Sequence, residues 1–169
     1  MQELPDMAEE YQKRFGVRGF LNGIEDGVEL NIAEVFEPTC TICGLTSGYQ
    51  GPGSKTVLPS KASAKVDFRL VPDQHPKDVL SQLRSHLNNG GFDDVKVKYL
   101  GGELPARTNP KDPFVQLVVN STKDIYGVPM QIVPMVGGSG PNYIVKQFLN
   151  VPIVSVGIGY PDSRAHAPN

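Results

Sequence analysis

The strongest constraint on the fold is an alternation of apolar and polar side chains in "KASAKVDFRLVP", residues 61–72. The apolar positions are Ala62, Ala64, Val66, Phe68 and Leu70. Because successive side chains of a strand point to opposite faces, this period of two predicts a strand that is buried on one face. Such a strand needs a neighbouring strand and a covering layer, so we expect a sheet with helices packed against it.

The segments around this strand predict the rest of an α+β layer. A strand is expected at about residues 38–47, and "VKVKYL" (95–100) alternates again. Between the strand in 61–72 and the one at 95–100, a helix is expected to begin near Pro76 and to end at the glycines 90–91. Its apolar stripe is formed by Val79, Leu80, Leu83 and Leu87. An earlier short helix is expected after Asp6, whereas residues 16–36 show no clear pattern.

The pattern changes at "LPARTNPKDP" (104–113), whose three prolines indicate a linker. A helix capped by Asp112 is expected next, with Phe114, Leu117, Val118 and Ile125 as its buried residues. The apolar runs "QIVPMV" (131–136) and "VPIVSVGI" (151–158) then flank a helix that begins near Pro141. Apolar runs on both sides of a helix are typical of a βαβ unit in a covered parallel sheet. We therefore divide the chain into residues 1–107 and 108–169.

Composition limits the classes of partner. The net charge is −2 without a run of like charges, which favours neither nucleic acid nor an acidic membrane surface. The longest apolar run is too short for a bilayer span, and the first residues do not resemble a signal peptide, so a cytoplasmic protein is expected. Cys40 and Cys43 lie in the predicted strand at 38–47, on opposite faces, and are expected to be structural, reduced and free of metal.

The glycine-rich stretch "SGYQGPGSKTVLP" (47–59) looks like a phosphate-binding loop but has the wrong spacing. The lysine of such a loop directly follows its last glycine, and here Ser54 occupies that position. Pro59 also interrupts the helix that should follow. The residues alone therefore favour a turn between two strands.

Two further loops follow the predicted strands of the second part, where ligands bind in open α/β sheets. In "GGSG" (137–140), Ser139 is open to two interpretations, a helix N-cap or a ligand contact. In the loop from Gly159, His166 is either a surface residue or part of a site. The pattern alone favours a solvated sheet face for Arg69 and structural positions for the other histidines, His75 and His86.

Several of these segments together resemble one enzyme family. They are "PTCTICGLTSGYQGPGSKTVLPSKASAKVDFRLVPDQHP" (38–76), "GGSGPN" (137–142), "VPIVSVGIG" (151–159) and "AHAPN" (165–169). They resemble the zinc-dependent metallopeptidases that include carnosinases, cytosolic dipeptidases, glutamate carboxypeptidases, aminoacylases and succinyl-diaminopimelate desuccinylase, with the carnosinase-like branch most similar. The resemblance implies a catalytic domain that holds two zinc ions and a lid domain through which two subunits dimerise.

The resemblance also implies roles for particular residues. Thr56 would lie near the substrate, in a loop that reaches towards the active site of the partner subunit. Arg69 would bind the terminal carboxylate of a peptide or N-acyl amino-acid substrate, and Gly138 and Ser139 would contact the same carboxylate. His166 would be a zinc ligand. The family usually has a large apolar residue after G-G-S, where this chain has Gly140.

The family's H-x-D motif, its bridging aspartate, its Glu-Glu pair and the opening strand of its lid have no match in the 169 residues. We therefore expect part of a dipeptidase or carboxypeptidase: an incomplete α+β lid (1–107) with a ferredoxin-like antiparallel sheet and helices on one face, then an α/β βαβ segment of the catalytic domain (108–169). No catalytic residue is expected within these residues, and on their own they should be inactive and metal-free. The alternative is a non-catalytic ferredoxin-like module that dimerises or binds amino acids, and a third possibility is an inactive relative.

Overall fold

An antiparallel hairpin forms the sheet of the computed structural model, which describes residues 6–128 and 130–157. Strand β1 (Thr39–Ser47) pairs with β2 (Ala62–Arg69), from Ser47 opposite Ala62 to Thr39 opposite Arg69. Both strands were predicted, and the alternation in residues 61–72 is the signal for β2. The glycine-rich stretch joins the strands, as the turn interpretation expected.

A β-bulge interrupts the hairpin between Ile42 and Gly44, at Cys43. One extra residue in β1 resets the alternation of side chains, which the sequence pattern did not reveal. The argument that Cys40 and Cys43 lie on opposite faces of a regular strand therefore does not hold. Both thiols are free and exposed, and Cys43 Sγ donates to the carbonyl of Lys65 at 3.4 Å.

Five α-helices accompany the hairpin in the described part of the chain. They are α1 (Ala8–Phe15), α2 (Gly27–Phe36), α3 (Pro76–Asn89), α4 (Pro113–Tyr126) and α5 (Asn142–Leu149). Side-chain caps mark the starts of α4 and α3: Asp112 accepts a hydrogen bond from the amide of Phe114 at 2.9 Å, and His75 Nδ1 accepts one from the amide of Lys77 at 3.2 Å. The predicted helices α1, α3, α4 and α5 are thus confirmed, and His75 is a capping residue.

Helix α2 lies in the segment that the sequence analysis left unassigned. Asp26 caps it by accepting hydrogen bonds from the amides of Val28 and Glu29, at 2.7 and 3.0 Å. An aspartate followed three residues later by glutamate, before an apolar run, is a known signature of a helix start. That signal was present in "DGVELNIAEVF" (26–36) and was missed.

The buried apolar residues lie mainly in the helices. Among the described residues they are Ala8, Leu30, Val35 and Val115. The prediction for α4 was wrong in its register, because Val115 is the buried residue whereas Phe114, Leu117 and Ile125 are 44%, 61% and 74% exposed. The predicted apolar face of β2 is also only partly covered, since Val66 is 41% exposed.

The strands predicted at 95–100, 131–136 and 151–158 are not strands in the part of the chain that the structure describes; residue 158 lies outside it. The predicted α/β βαβ arrangement is therefore not formed there, and the sheet has two strands. Apolar alternation indicates which side chains are favourably buried. A strand forms only where the backbone of a neighbouring strand provides hydrogen-bond partners. The observed class is α+β.

The chain exposes a large surface for its size. Its accessible surface is 13964 Å², whereas a compact protein of 18.3 kDa exposes about 8,100 Å². Large apolar side chains contribute to the excess, among them Leu58, Leu100 and Phe148, which are 93%, 81% and 77% exposed. No helix of the described residues is long and apolar enough to cross a membrane.

Candidate functional site

Arg69 connects the end of β2 to the glycine-rich loop at 137–140. Its Nε forms an ion pair with Asp67 Oδ2 at 3.0 Å, and its Nη1 donates to the hydroxyl oxygen of Ser139. The second contact joins residues that are 70 positions apart in sequence. Two of the residues selected from sequence, Arg69 and Ser139, therefore meet in the structure.

The strand pairing places four polar side chains on one face of the hairpin. Arg69 is opposite Thr39 and Asp67 is opposite Thr41, and residues two apart on a strand share a face. Arg69 and Asp67 are about half exposed, at 45% and 51% of their side-chain surface. The guanidinium is therefore anchored by the sheet and still accessible to a ligand.

This face borders a cavity of about 2340 Å³. Its wall includes Arg69, Ser139, the apolar stripe of α3 and much of the segment 94–108. The volume exceeds the roughly 300–1,000 Å³ of a small-molecule pocket, so the chemistry of the wall is more informative than the size. An accessible arginine beside a hydroxyl group is suited to a carboxylate on an organic ligand.

The glycine-rich loop leaves room for backbone approach. A Cβ atom added to Gly138 would have Val136 Cγ2 as its nearest contact, at 3.9 Å, which is an ordinary van der Waals distance. Gly138 also has no left-handed backbone that would require glycine. Ser139 is not the N-cap of α5, because Pro141 occupies that position. Of the two interpretations of Ser139, the cap is thus wrong.

Two hydrogen bonds connect the residues that follow the glycine-rich loop to the linker. Lys146 Nζ, in α5, donates to the carbonyl of Arg107 at 2.6 Å, and the amide of Ile153 donates to Thr108 Oγ1 at 2.9 Å. Both contacts tie the segment around α5 to the linker. The sequence indicated this linker but gave no sign that it anchors α5.

Thr56 lies at the opposite end of the hairpin from Arg69. The seven steps of β2 from Ala62 to Arg69 span about 23 Å at ~3.3 Å per residue. The loop that holds Thr56 makes local contacts, such as Tyr49 Oη to the carbonyl of Pro52 at 3.1 Å. The structure therefore does not bring Thr56 together with Arg69 and Ser139 within one chain.

The residues that could hold a metal are not assembled in the described ranges. Between residues 6 and 128 and between 130 and 157, no three His, Cys, Asp or Glu side chains form such a group. His166, the metal ligand implied by the resemblance, lies outside the described residues. The described residues by themselves thus do not fit a zinc site.

Residues 1–95 match the peptidase dimerisation domain family M20_dimer, which is more than half of the chain. The chain belongs to the M20 peptidase dimerisation domain family. The M20 family metallo-carboxypeptidase Sso-CP2 from Sulfolobus solfataricus has a similar structure, with 33% identity, a TM-score of 0.76 and coverage of 89% of this chain and 34% of that one.

Similar sequences of this M20 chain include two dipeptidases. The Beta-Ala-His dipeptidase of Mus musculus is 28% identical over 125 residues, which are 71% of this chain and 25% of that protein. The Cys-Gly metallodipeptidase DUG1 of Saccharomyces cerevisiae is 29% identical over 144 residues, which are 78% of this chain and 28% of that protein. The chain therefore spans about a quarter to a third of the length of these relatives.

One residue of the site was missed. The sequence analysis gave Asp67 no role. The signal was its position two residues before Arg69, because an acid and a base at that spacing on a strand share a face. The partner that completes the site, Ser139, had been found independently.

Proposed function

We propose that this chain is the lid and a C-terminal segment of a zinc-dependent dipeptidase or carboxypeptidase. The enzyme would hydrolyse a peptide or amide bond next to a free carboxylate, in a dipeptide or an N-acyl amino acid. The contact between Arg69 and Ser139 carries the proposal, because it brings together two side chains that can donate hydrogen bonds to a carboxylate. Membership of the M20 family and the peptidase names of its relatives support the class of reaction.

In this proposal the substrate carboxylate binds against the guanidinium of Arg69. A planar guanidinium matches a carboxylate with two parallel hydrogen bonds. The hydroxyl oxygen of Ser139 accepts from Arg69, so its own hydrogen stays free to donate to the ligand. The open space around Gly138 allows the backbone to approach the same carboxylate closely.

We propose that the protein acts as a homodimer through its lid. The exposed surface of the chain supports a covering partner, and apolar side chains of the hairpin such as Ile42 and Leu45 are 66% and 74% exposed. Exposed strand edges also need pairing or cover. The distance of Thr56 from Arg69 supports its assignment to the site of the partner subunit.

The proposed metal is zinc, with two ions in the complete catalytic site and His166 as one ligand. A catalytic zinc takes three protein ligands and keeps one position open for water. Because the described residues offer no such group, the remaining ligands would come from elsewhere in the full-length protein. The 169 residues on their own are expected to be inactive.

The central test replaces Arg69 by lysine in the full-length protein that contains this chain. Lysine keeps the charge but loses the two-pronged geometry, so kcat/KM for the dipeptide alanylalanine should fall. The decrease should correspond to a loss of about 1.5–3 kcal/mol in transition-state stabilisation. The amide of alanylalanine has no terminal carboxylate and should be much less affected. Steady-state kinetics on both compounds provides the measurement.

A matched control is Arg84→Lys, which makes the same change at an exposed position of α3. It should leave the rates for both compounds unchanged. Equal losses for alanylalanine and its amide in Arg69→Lys would mean that Arg69 supports the sheet and does not bind the carboxylate. A full-length protein without peptidase activity on any dipeptide would favour the alternative, a non-catalytic module.

The metal assignment has a separate test. His166→Ala in the full-length protein should remove at least one zinc ion and nearly all activity while circular dichroism stays unchanged. Elemental analysis of the 169-residue chain should find less than stoichiometric zinc, since a single imidazole binds zinc weakly. A fully metallated and active His166→Ala protein would contradict the assignment.

A further inference from the structure

The guanidinium of Arg69 has two edges, each of which presents a pair of N–H groups. In the structure the two edges have different partners. Nε, on the side edge, lies 3.0 Å from Asp67 Oδ2 in an ion pair. Nη1, on the end edge, donates to Ser139. With its side edge held by Asp67, the planar group directs its end edge towards the loop at 137–140.

We propose that Asp67 is a positioning residue, which fixes the rotation of the Arg69 guanidinium so that its end edge faces Ser139 and the carboxylate of the substrate. The inference rests on the proposed function, because it concerns how the same site selects a free carboxylate. It adds a residue to which the resemblance assigned no role.

The backbone makes this arrangement rigid. Asp67 and Arg69 share a face of β2, and their cross-strand partners Thr41 and Thr39 place both within the paired part of the hairpin. A long arginine side chain otherwise samples many rotamers, and ordering them during binding lowers affinity. An acceptor fixed at Nε removes part of this cost before the ligand arrives.

Stability explains the pair poorly. The two side chains are about half exposed, and ion pairs of this kind contribute little to folding. The carboxylate of Asp67 also repels that of a substrate, so as a simple countercharge it would weaken binding. Its two possible effects on the ligand therefore have opposite signs, and this difference makes the inference testable.

The experiment compares Asp67→Ala with Asp67→Asn in the full-length protein. Alanine removes both the charge and the acceptor, whereas asparagine removes the charge and keeps an acceptor oxygen for Nε. We expect Asp67→Ala to weaken alanylalanine about tenfold, in kcat/KM and in the Kd measured by calorimetry on metal-stripped protein. Asp67→Asn should remain within about threefold of wild type, and the amide should be unaffected by either change.

A double-mutant cycle separates positioning from a general effect on the fold. In an Arg69→Lys background there is no planar group to orient, so Asp67→Ala should then cost less than about twofold. Asp124→Ala, which removes the same charge from an exposed position of α4, is the control and should change nothing. Melting temperatures check that all variants fold.

Three results would overturn the inference. They are tighter or unchanged binding of alanylalanine by Asp67→Ala, the same loss in both backgrounds, and equal losses for the acid and its amide. If Arg69→Lys shows a carboxylate-specific loss and Asp67→Ala does not, only the positioning role fails. If Arg69→Lys shows none, the proposed function fails and this inference fails with it.

Discussion

The two ends of the hairpin differ in what they contact. At the end with Arg69, side chains reach across the chain: Arg69 meets Asp67 on its own strand and Ser139, 70 residues away. At the loop end, Tyr49 and Gln50 donate hydrogen bonds to the nearby carbonyls of Pro52 and Ser47. Leu58, beside this loop's Thr56 and Val57, is 93% exposed.

This difference supports the proposal that the two ends belong to different sites. The Arg69 end is assembled by one chain from two distant segments, so its geometry depends on the fold of that chain. The loop end is shaped by its own turns and presents apolar side chains to the outside, as expected of a segment that contacts another molecule. In the proposed symmetric dimer, one hairpin would serve two active sites, one at each end.

The largest expected effect comes from mixing subunits. Arg69→Ala removes the cation that would pair with the substrate carboxylate and should lower kcat/KM by more than about a hundredfold. Thr56→Ala should also lower the activity of its homodimer. If Thr56 acts in the partner's site, a dimer of one Arg69→Ala and one Thr56→Ala subunit contains one intact site. Such mixed dimers should recover about half of the wild-type activity.

If both residues serve the same subunit, the mixed dimers would instead stay as inactive as their parents. Mixtures in which one subunit carries both substitutions and the other is wild type provide the control. Light scattering that finds only monomers of the full-length protein at micromolar concentration would contradict the dimer and with it the comparison.

A smaller effect is expected at the Arg69 end from Gly138→Ala. The added methyl group fits the fold, since its nearest neighbour would be 3.9 Å away, but it narrows the approach of a ligand to the backbone. We expect kcat/KM for alanylalanine to fall about tenfold without a change in melting temperature. Gly137→Ala, whose methyl group meets nothing within 4 Å, is the matched control. Loss of stability in Gly138→Ala would show a structural role instead.

The smallest effect is expected at the loop end, from Gly53→Ala. Gly53 has φ = 81°, and its Cβ would meet nothing within 4 Å, so the cost is one of backbone conformation alone. We expect a decrease of about 1 kcal/mol in the free energy of unfolding, measured with urea. Gly19→Ala, which is equally open but has no positive φ, should change stability by less than about 0.5 kcal/mol. Equal effects of both would show that the loop relaxes and is not preorganised.

Prediction from sequence succeeded where the signal was local. The caps Asp112 and His75, and the glycine Gly127 after α4, mark helix ends through contacts within a few residues. The bulge at Cys43 could not be foreseen, because it is defined by the partner strand. The three expected strands failed for the same reason, and the buried Val115 shows that periodicity finds a helix more reliably than its buried side.

The candidate site divides in a similar way. The resemblance to the peptidase family selected Arg69, Ser139, Gly138, Thr56 and His166 as a set, but it did not indicate which of them meet. The structure supplied the contact between Arg69 and Ser139 and the ion pair between Arg69 and Asp67. His166 remains a prediction, because it lies outside the described residues.

Signals in the sequence identified helices α1, α3, α4 and α5, the hairpin with its glycine-rich loop, and membership of a peptidase family. The strand register with its bulge, the buried side of α4 and the pairing of Arg69 with Ser139 became visible in the folded chain alone. The two groups differ in the range of the interactions that create them. Caps, turns and alternation act over a few residues and are written in neighbouring letters, whereas a contact across 70 residues exists only after packing has brought two segments together.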